Sequence, residues 1–414
     1  MKKSTRSSAK AAVSETVELH GHIIDSLTLP KVLDEIMAEG GEFGLEHVRI
    51  GHKRSDASYA RVRITAPDQT TLDEILRDVK KHGAHLLSEE DAVLSPAPRD
   101  GVFPLGFYCT TNLETQVRIA GKWVPVRNIE MDCAIRVDPR RGTVGTVPMA
   151  RVRRGDRVVV GHGGVRVTPL ERDSNPDVFQ FMGSQVSSEH PKGLVIRRIA
   201  GQIREARKRH QRVLVVGGPA IVHTGAHIHL AEIVRRGWVD VLFGGNALAT
   251  HDIEHALYGT SLGVNLAAGV PTEEGHENHL RAINEIRLAG GIRAAIKKGI
   301  LKRGLMHACF TRGVDVVLAG SIRDDGPLPE VITDVLDAQD AMRMALKNVG
   351  VALMIATTLH AIATGNVLPA SVRTVCVDMN PAVVTKLADR GSFQAVGLVT
   401  DAEGFLRELA RHLG

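Results

Sequence analysis

The apolar positions of the chain follow three regimes of spacing. In residues 16–92, short alternating runs are interrupted by two stretches of helical period. ETVELHGHII predicts a first strand, Ser26–Glu39 a helix, and GLEHVRIGHK with SYARVRITAP a pair of strands. In TTLDEILRDVKKHG, Leu72, Ile75, Leu76 and Val79 recur at three- and four-residue intervals, the period of one helix face. Thr70 and Thr71 are its expected N-caps, with Asp73 and Glu74 in the first turn. A strand after this helix completes the order β-α-β-β-α-β of a ferredoxin-like unit.

Residues 99–189 carry short β-rich runs with little helical spacing. VRIAGKWVPV predicts a hairpin turning at Ala120-Gly121, and GDRVVVGHGGVRVTP a further pair of strands around His162-Gly163-Gly164. From residue 190 onward, RVLVVGGPA, VDVLFGGNA, GVDVVLAGSI, VRTVCVDMN and FQAVGLVT are apolar throughout, as strands buried on both faces read. HIHLAEIVRRG, DAQDAMRMALKNVGVALMIATTLHAIATG and PAVVTKLADRG read as helices between them. The expected fold class is therefore α/β. A Rossmann-like doubly wound parallel sheet spans 190–414, preceded by a disordered tail (1–15), a ferredoxin-like α+β unit (16–98) and a small β-rich middle domain (99–189).

Composition narrows the class. With 414 residues, 43% hydrophobic and 24% charged, the chain has the balance of a soluble globular protein. No apolar run approaches the ~20 residues of a membrane helix. The basic MKKSTRSSAK is followed by AAVSETVELH rather than a signal's apolar stretch, so a cytoplasmic protein is expected. Four cysteines without CxxC spacing argue against disulfides and a four-cysteine zinc site, and no other spacing suggests a metal. A net charge of +5 admits nucleic acid as a partner, but only 3% of residues are aromatic and no zinc-finger, KH or RNP-type motif is present. An enzyme with an anionic cofactor accounts for the charge as well.

Ligands of an open parallel sheet bind beyond the carboxyl ends of its strands. Gly217-Gly218-Pro219-Ala220 permits a tight turn near a phosphate, or is simply a βα turn. Asn246, in Gly244-Gly245-Asn246-Ala247, could hold a ribose or cap the following helix. Asp324 and Asp325 sit in a proline-stiffened loop after a strand. Asp378 ends a strand where an acidic residue receives the ribose hydroxyls of NAD, which favours NAD over NADP. His360 reads as a core histidine near the end of an apolar helix. In the middle domain, Asn112, Glu114, Arg118 and Asp132 could supply the cation, acid and base that an amino-acid substrate needs. Cys133 is a conceivable nucleophile with no activating partner in sight.

Taken together, GFYCTTNLET (Gly106–Thr115), GGPAIVHTG, FGGNALATHDIE, AGSIRDDGPLPEVITD and VDMNPAVVTKLADRGS resemble the archaeal-type ornithine cyclodeaminases, whose N-terminal region is the LOR/SDH domain. The same unit resembles the C-terminal part of cyanobacterial arginine dihydrolase/ornithine cyclodeaminases, and the likeness runs from about Glu15 to the end. The likeness does not extend to the dihydrolase domain, so arginine hydrolysis is not implied, and the mu-crystallin-like bacterial ornithine cyclodeaminases are a separate family. The resemblance implies conversion of L-ornithine to L-proline and ammonia, with NAD+ recycled in the active site. It implies NAD contacts at Asn246, Ala247, Asp325, Thr357, Thr358, Leu359, His360 and Asp378, and at the turn Leu398, Val399, Thr400, Asp401. Asn112, Arg118 and Cys133 are expected on the substrate side, and Asp132 or Glu114 as the acid–base group. A homodimer or homotetramer is expected. Two other readings stand beside this one: a lysine-pathway, saccharopine-type dehydrogenase, and a non-catalytic NAD or amino-acid sensor.

Overall fold

The computed structural model describes residues 12–21, 23–24, 27–51, 56, 58–86, 90–138, 142–168, 192–261, 264–265, 270–271, 277–324, 326–389 and 395–414. Of the expected tail over 1–15, residues 1–11 lie outside them, while Val13, Ser14 and Glu15 are not tail but the start of a strand paired along its length. The chain divides into two compact units, Met1–Pro176 and Asp177–Gly414.

The first unit opens with β1 (Val13–Gly21), α1 (Thr28–Ala38), β2 (Glu42–Arg49), β3 (Ser58–Ala66), α2 (Gln69–Lys81) and β4 (His85–Leu86). Their sheet runs β2-β3-β1-β4 with every pairing antiparallel, the ferredoxin-like order. Alternation drives it: Val17 and Leu19 of β1 and Ala60, Val62 and Ile64 of β3 turn inward against Val32, Ile36, Leu72, Ile75 and Val79 of the two helices. Asp68, not Thr70 or Thr71, caps α2, its carboxylate accepting the Thr71 N–H at 3.0 Å. The helix starts at Gln69, ahead of both threonines, and Asp73 and Glu74 fall beyond its first turn.

Seven strands follow: β5 (Val93–Pro96), β6 (Thr115–Ile119), β7 (Lys122–Pro125), β8 (Ala134–Asp138), β9 (Thr143–Val147), β10 (Arg157–Val160) and β11 (Val165–Val167). The β6–β7 hairpin turns at Ala120-Gly121 as expected, both residues at positive φ (49° and 76°), the geometry of a type I′ turn. β10 and β11 do form around His162, but they do not pair with each other. β10 lies in the sheet β5-β10-β8-β9 and β11 in the sheet β11-β6-β7, because the turn at 161–164 carries the chain from one sheet to the next.

The second unit contains α3 (Lys192–Lys208), β12 (Arg212–Gly217), α4 (Ala220–His223), α5 (His227–Arg235), β13 (Val241–Gly245) and α6 (Asn246–Tyr258). Next come the short strands β14 (Thr260–Ser261), β15 (Val264–Asn265) and β16 (Val270–Pro271), then α7 (Asn278–Ala289), α8 (Ile292–Lys297) and α9 (Leu305–Arg312). β17 (Asp315–Ala319), β18 (Val331–Ile332), α10 (Val335–Ala345), β19 (Val349–Ile355), α11 (Leu359–Val367), β20 (Arg373–Asp378), α12 (Pro381–Asp389), β21 (Ala395–Val399) and α13 (Ala402–Leu413) complete it. The main sheet is parallel, in the order β18-β17-β13-β12-β19-β20-β21. Setting aside the edge strand β18, this is the doubly wound dinucleotide-binding order, reversing between β12 and β19. Successive residues alternate between the two covered faces. Val213, Val215, Leu353 and Val375 pack under α3, α5, α6 and α13, while Leu214, Val216, Met354 and Cys376 pack under α10, α11 and α12.

One predicted helix is corrected here. DAQDAMRMALKNVGVALMIATTLHAIATG is a helix, a strand and a second helix: α10, β19 and α11. Asn348 takes a left-handed conformation (φ 60°) and donates from Nδ2 to the His210 carbonyl at 2.7 Å, closing α10. All seven residues of β19 are buried, so no polar position marked the change of period.

Candidate active site

Because the strand order reverses between β12 and β19, their carboxyl ends flank the crevice where a doubly wound sheet takes its ligand. The two turns there touch through backbone. The Gly218 N–H donates to the Ile355 carbonyl at 3.1 Å, and a Cβ at Gly218 would fall 1.9 Å from the Ala356 oxygen. No other residue fits that position without moving the β19 turn.

On the β13 side, Asn246 is the first residue of α6 and is buried, with Gly245 as the cap. Its Oδ1 accepts from the Leu328 N–H at 3.0 Å and from Thr250 Oγ1 at 3.3 Å, tying the loop after β17 to α6. Ala247 beside it is half-buried. In that loop Asp324 Oδ2 accepts the Ser321 N–H at 2.8 Å. Asp325 lies outside the described residues. His360 falls in the first turn of α11, not toward a helix end, since the apolar run before it is a strand. Its Cε1 is 3.0 Å from where a Cβ would sit on Gly245. Burial lowers the His360 pKa, only partly opposed by the Asp324 carboxylate, so the ring is neutral at pH 7. Thr357 is half-buried, and Thr358 and Leu359 are exposed.

On the β20 side, Asp378 is half-buried at the strand end. Its Oδ1 accepts the Asn380 N–H at 2.8 Å, and its carbonyl accepts the Thr400 N–H at 3.3 Å. Leu398 and Thr400 are buried and Val399 half-buried. Asp401 is exposed and caps α13 through the Gly404 N–H at 2.7 Å. The sheet edge thus joins Asn246, Leu328 and His360 on one side of the crevice, and Asp378 with Thr400 on the other.

In the first unit, Thr110 fastens the segment 109–114 to the segment 130–134. Its Oγ1 donates to the Glu130 carbonyl at 2.7 Å and accepts the Cys133 N–H at 3.1 Å. The Thr110 N–H reaches the Cys133 carbonyl, and the Thr110 carbonyl takes the Asp132 N–H. Asp132 is held exposed between these bonds at φ 61°, a left-handed conformation that a non-glycine residue enters at a cost. Cys133 and Asn112 are buried and Glu114 is exposed. Arg118 is half-buried, with Nη1 3.5 Å from the Asp91 carboxylate.

Three clusters escaped the sequence reading. Lys80 is buried on α2 with Nζ donating to the His162 carbonyl at 3.0 Å, beside Tyr108, and desolvation drops its pKa to about 7. The signal was present: Lys80 follows Val79 at the i+4 position from Leu76, on the apolar face. Helix α6 buries Thr250, His251, Asp252 and Glu254 together, so HDIE in a helix buried on every side was the second signal. Asp252 caps α9, accepting the Leu305 and Met306 N–H groups at 2.7 Å each, and burial raises its pKa to about 6. Third, donor atoms of Glu18, His20 and His85 lie within 4.8 Å of one another, the one such trio among the described residues. Arg61 already neutralises that carboxylate at 2.9 Å, with Tyr59 alongside.

Comparison with known proteins gives one consistent result. Residues 197–409 match the family described as arginine dihydrolase ArgZ-like, C-terminal, Rossmann fold; 14–113 match the LOR/SDH bifunctional enzyme conserved region; 114–196 match the first C-terminal region of the ArgZ-like proteins. The ornithine cyclodeaminase of Methanopyrus kandleri is 52% identical over 96% of this chain and 97% of its own. The crystal structure of apo ArgZ, a cyanobacterial arginine dihydrolase, superposes with a TM-score of 0.85 at 36% identity, covering 97% of this chain and 58% of that one. AgrE from Nostoc, crystallised as a ternary complex with ornithine and NAD+, matches at 39% identity and a TM-score of 0.53 over 97% of this chain and 57% of its own.

Proposed function

The chain belongs to the ornithine cyclodeaminase family that joins the archaeal enzymes to the C-terminal regions of ArgZ and AgrE, and from that premise we propose that it converts L-ornithine to L-proline and ammonia with NAD+. The match to archaeal cyclodeaminases along nearly the whole of both chains carries this reading. When bound, NAD+ takes a hydride from the α-carbon of the substrate and returns it to the ring imine, so none is consumed.

The residues fit that cofactor. Asp378 ends β20 with its carboxylate fixed by the Asn380 N–H, and a carboxylate holding one donor retains lone pairs for ribose hydroxyls. Asn246, Ala247, the Thr357–His360 segment and the Leu398–Asp401 turn share the same strand-end edge and line the proposed cofactor site. Asp325 joins them by sequence alone. Neutral His360 can donate or accept a hydrogen bond there without placing a positive charge beside the oxidised nicotinamide. Asn112, Arg118 and Cys133 are assigned to the substrate side. Asp132 or Glu114, both exposed, is assigned to take the proton from the α-ammonium, since an ammonium cannot become an imine until it loses one.

The test is purified protein with NAD+ and L-ornithine, following proline, ammonia and NADH absorbance together. Proline and ammonia in equal amounts without net NADH are expected. NADH accumulating in step with a keto acid or a secondary amine would replace the reading with a dehydrogenase.

The enzyme is further proposed to work as a homodimer or homotetramer. Edge strand β2 is exposed at all eight residues, with Phe43, Leu45 and Val48 at 37%, 48% and 40% exposure. An open apolar edge of this kind invites pairing with a second copy. Leu45→Lys is expected to lower the mass seen by light scattering, and an unchanged mass argues against β2 as the interface.

A further inference from the structure

A cluster of histidines beside the β12 turn has no part in the cofactor edge. Glu254 is wholly buried, and its two oxygens accept from side chains: Oε2 is 2.8 Å from His251 Nδ1, and Oε1 receives Thr260 Oγ1 at 2.9 Å. Asn278 Nδ2 donates in turn to Thr260 Oγ1 at 3.0 Å. His223, the last residue of α4, stands edge-on to His251 at 4.8 Å between ring centres, and its Nδ1 is 2.7 Å from Ser261 Oγ. His279 of α7 lies 6.2 Å from His251. Four elements thus converge on one imidazole.

The arrangement specifies a tautomer. A carboxylate only accepts, so the neutral His251 carries its proton on Nδ1 and its lone pair on Nε2. That is the base-plus-orienter pairing used for proton transfer. It is also an expensive way to hold a helix, since a carboxylate buried beside a neutral ring has lost its hydration. Asp252 one residue away has a structural task, its oxygens capping the backbone of α9. The location suits chemistry as well. α4 begins two residues after Gly218, and at about 1.5 Å per helical residue His223 lies within about 8 Å of the β12 turn that flanks the crevice.

We propose that His251, oriented by Glu254, is the catalytic base and acid of ring closure. This rests on the cyclodeaminase reading, which requires a second neutral amine. The substrate's δ-ammonium gives a proton to His251 Nε2, and the freed lone pair attacks the α-imine carbon, forming the Cα–Nδ bond. The imidazolium then returns that proton to the α-nitrogen, and the freed imidazole takes a second proton from the new ring nitrogen, whose lone pair breaks the Cα–Nα bond. Ammonia leaves and the protonated ring imine remains. The second proton passes from His251 to the released ammonia, which departs as ammonium, so His251 is restored and the step needs no oxidant or reductant. The side-chain bonds of Ser261 and Asn278 set His223 and Thr260 as positioning residues.

The experiment compares wild type with His251→Asn, Glu254→Gln and a control on the same helix, His255→Gln, whose ring pairs with His227 at 3.0 Å, measuring kcat, ornithine KM, NAD+ Kd and Tm. His251→Asn is expected to lower kcat by about 10²- to 10⁴-fold, with NAD+ Kd and Tm unchanged. Glu254→Gln is expected to lose at least about tenfold in kcat, and His255→Gln to retain wild-type kcat. Should His251→Asn not fold, the wild-type protein decides: the ¹⁵N resonance of His251 Nε2 is followed as ornithine is added to the NADH complex, which cannot turn over. A shift is expected; an unmoved resonance overturns the proposal. Wild-type kcat in His251→Asn, or a loss that tracks equally in NAD+ Kd and Tm, overturns it too. Absence of proline from the wild-type enzyme would instead remove the cyclodeaminase reading beneath it.

Discussion

Lys80 shows how much one residue can depend on its surroundings. Its ammonium is buried against Tyr108 and the His162 carbonyl, and desolvation brings its pKa from 10.5 to about 7 against the weak opposing pull of Glu15. Above pH 10.5 the amine is neutral in both folded and unfolded chains and contributes nothing. Between 10.5 and about 7 the unfolded chain binds a proton that the folded one refuses, so the penalty grows as pH falls, and below about 7 it is constant. Stability attributable to Lys80 therefore rises with pH across that window, by up to a few kcal/mol. Lys80→Met should remove this slope. Denaturant midpoints of wild type and variant at pH 6.5 and 9.5 check it: the stability gap between the two is expected to be wide at the lower pH and narrow at the higher. At this scale the sequence was half legible. Asp378 at a strand end and the polar run around Thr110–Glu114 could be read from neighbours in the chain. Lys80, His251 and Glu254 were marked only as polar residues on apolar helix faces; which elements bury them could not be read, because those elements are distant in sequence.

At the scale of elements, the turns between β12, β19 and β20 matter most. Ala356 stands at φ 50°, its N–H on the Val377 carbonyl, while Gly218 presses backbone to backbone against it. Gly218→Ala brings a carbon to 1.9 Å from a carbonyl oxygen, a contact that only displacement of the β19 turn can relieve. The variant is expected to lose about 2 kcal/mol or more of stability and to bind NAD+ far more weakly, read by thermal melting and by NAD+ titration. Full retention of both would mean that the two turns can separate freely. The hairpin at Ala120-Gly121 and five strands of the parallel sheet were legible because turn residues or polar ends bound them. β19 was not. Its apolar run continues from one helix almost into the next, and periodicity cannot separate a wholly buried strand from a buried helix. That one merger also misplaced His360, putting the first residues of a strand-end helix at the far end of a longer one.

At the scale of the whole molecule, the residues proposed for the cofactor and those proposed for the substrate fall in different units. The sheet that binds a dinucleotide lies wholly in the second, and the segments presenting Asn112, Glu114, Asp132 and Cys133 wholly in the first. Each unit has its own buried core, so a polar substitution on the rim of one leaves the packing of the other intact. This gives a kinetic division that can be measured. Removing a charged hydrogen-bonding group typically costs about 1.5–3 kcal/mol, so Asp378→Ala is expected to raise NAD+ Kd by about 10- to 100-fold. At saturating NAD+ its ornithine KM should stay near the wild-type value. Asp132→Asn keeps the shape and the left-handed backbone, which asparagine tolerates as well as aspartate, and removes only the proton acceptor. Its expected signature is the reverse: kcat lower by about 10²-fold or more, with NAD+ Kd unchanged. Steady-state kinetics and equilibrium NAD+ titration on the two variants read both numbers. If Asp132→Asn weakens NAD+ binding, or Asp378→Ala lowers only kcat, the division of cofactor and substrate work between the units is wrong. If each variant moves its own constant alone, the acid–base role falls to Asp132 rather than Glu114.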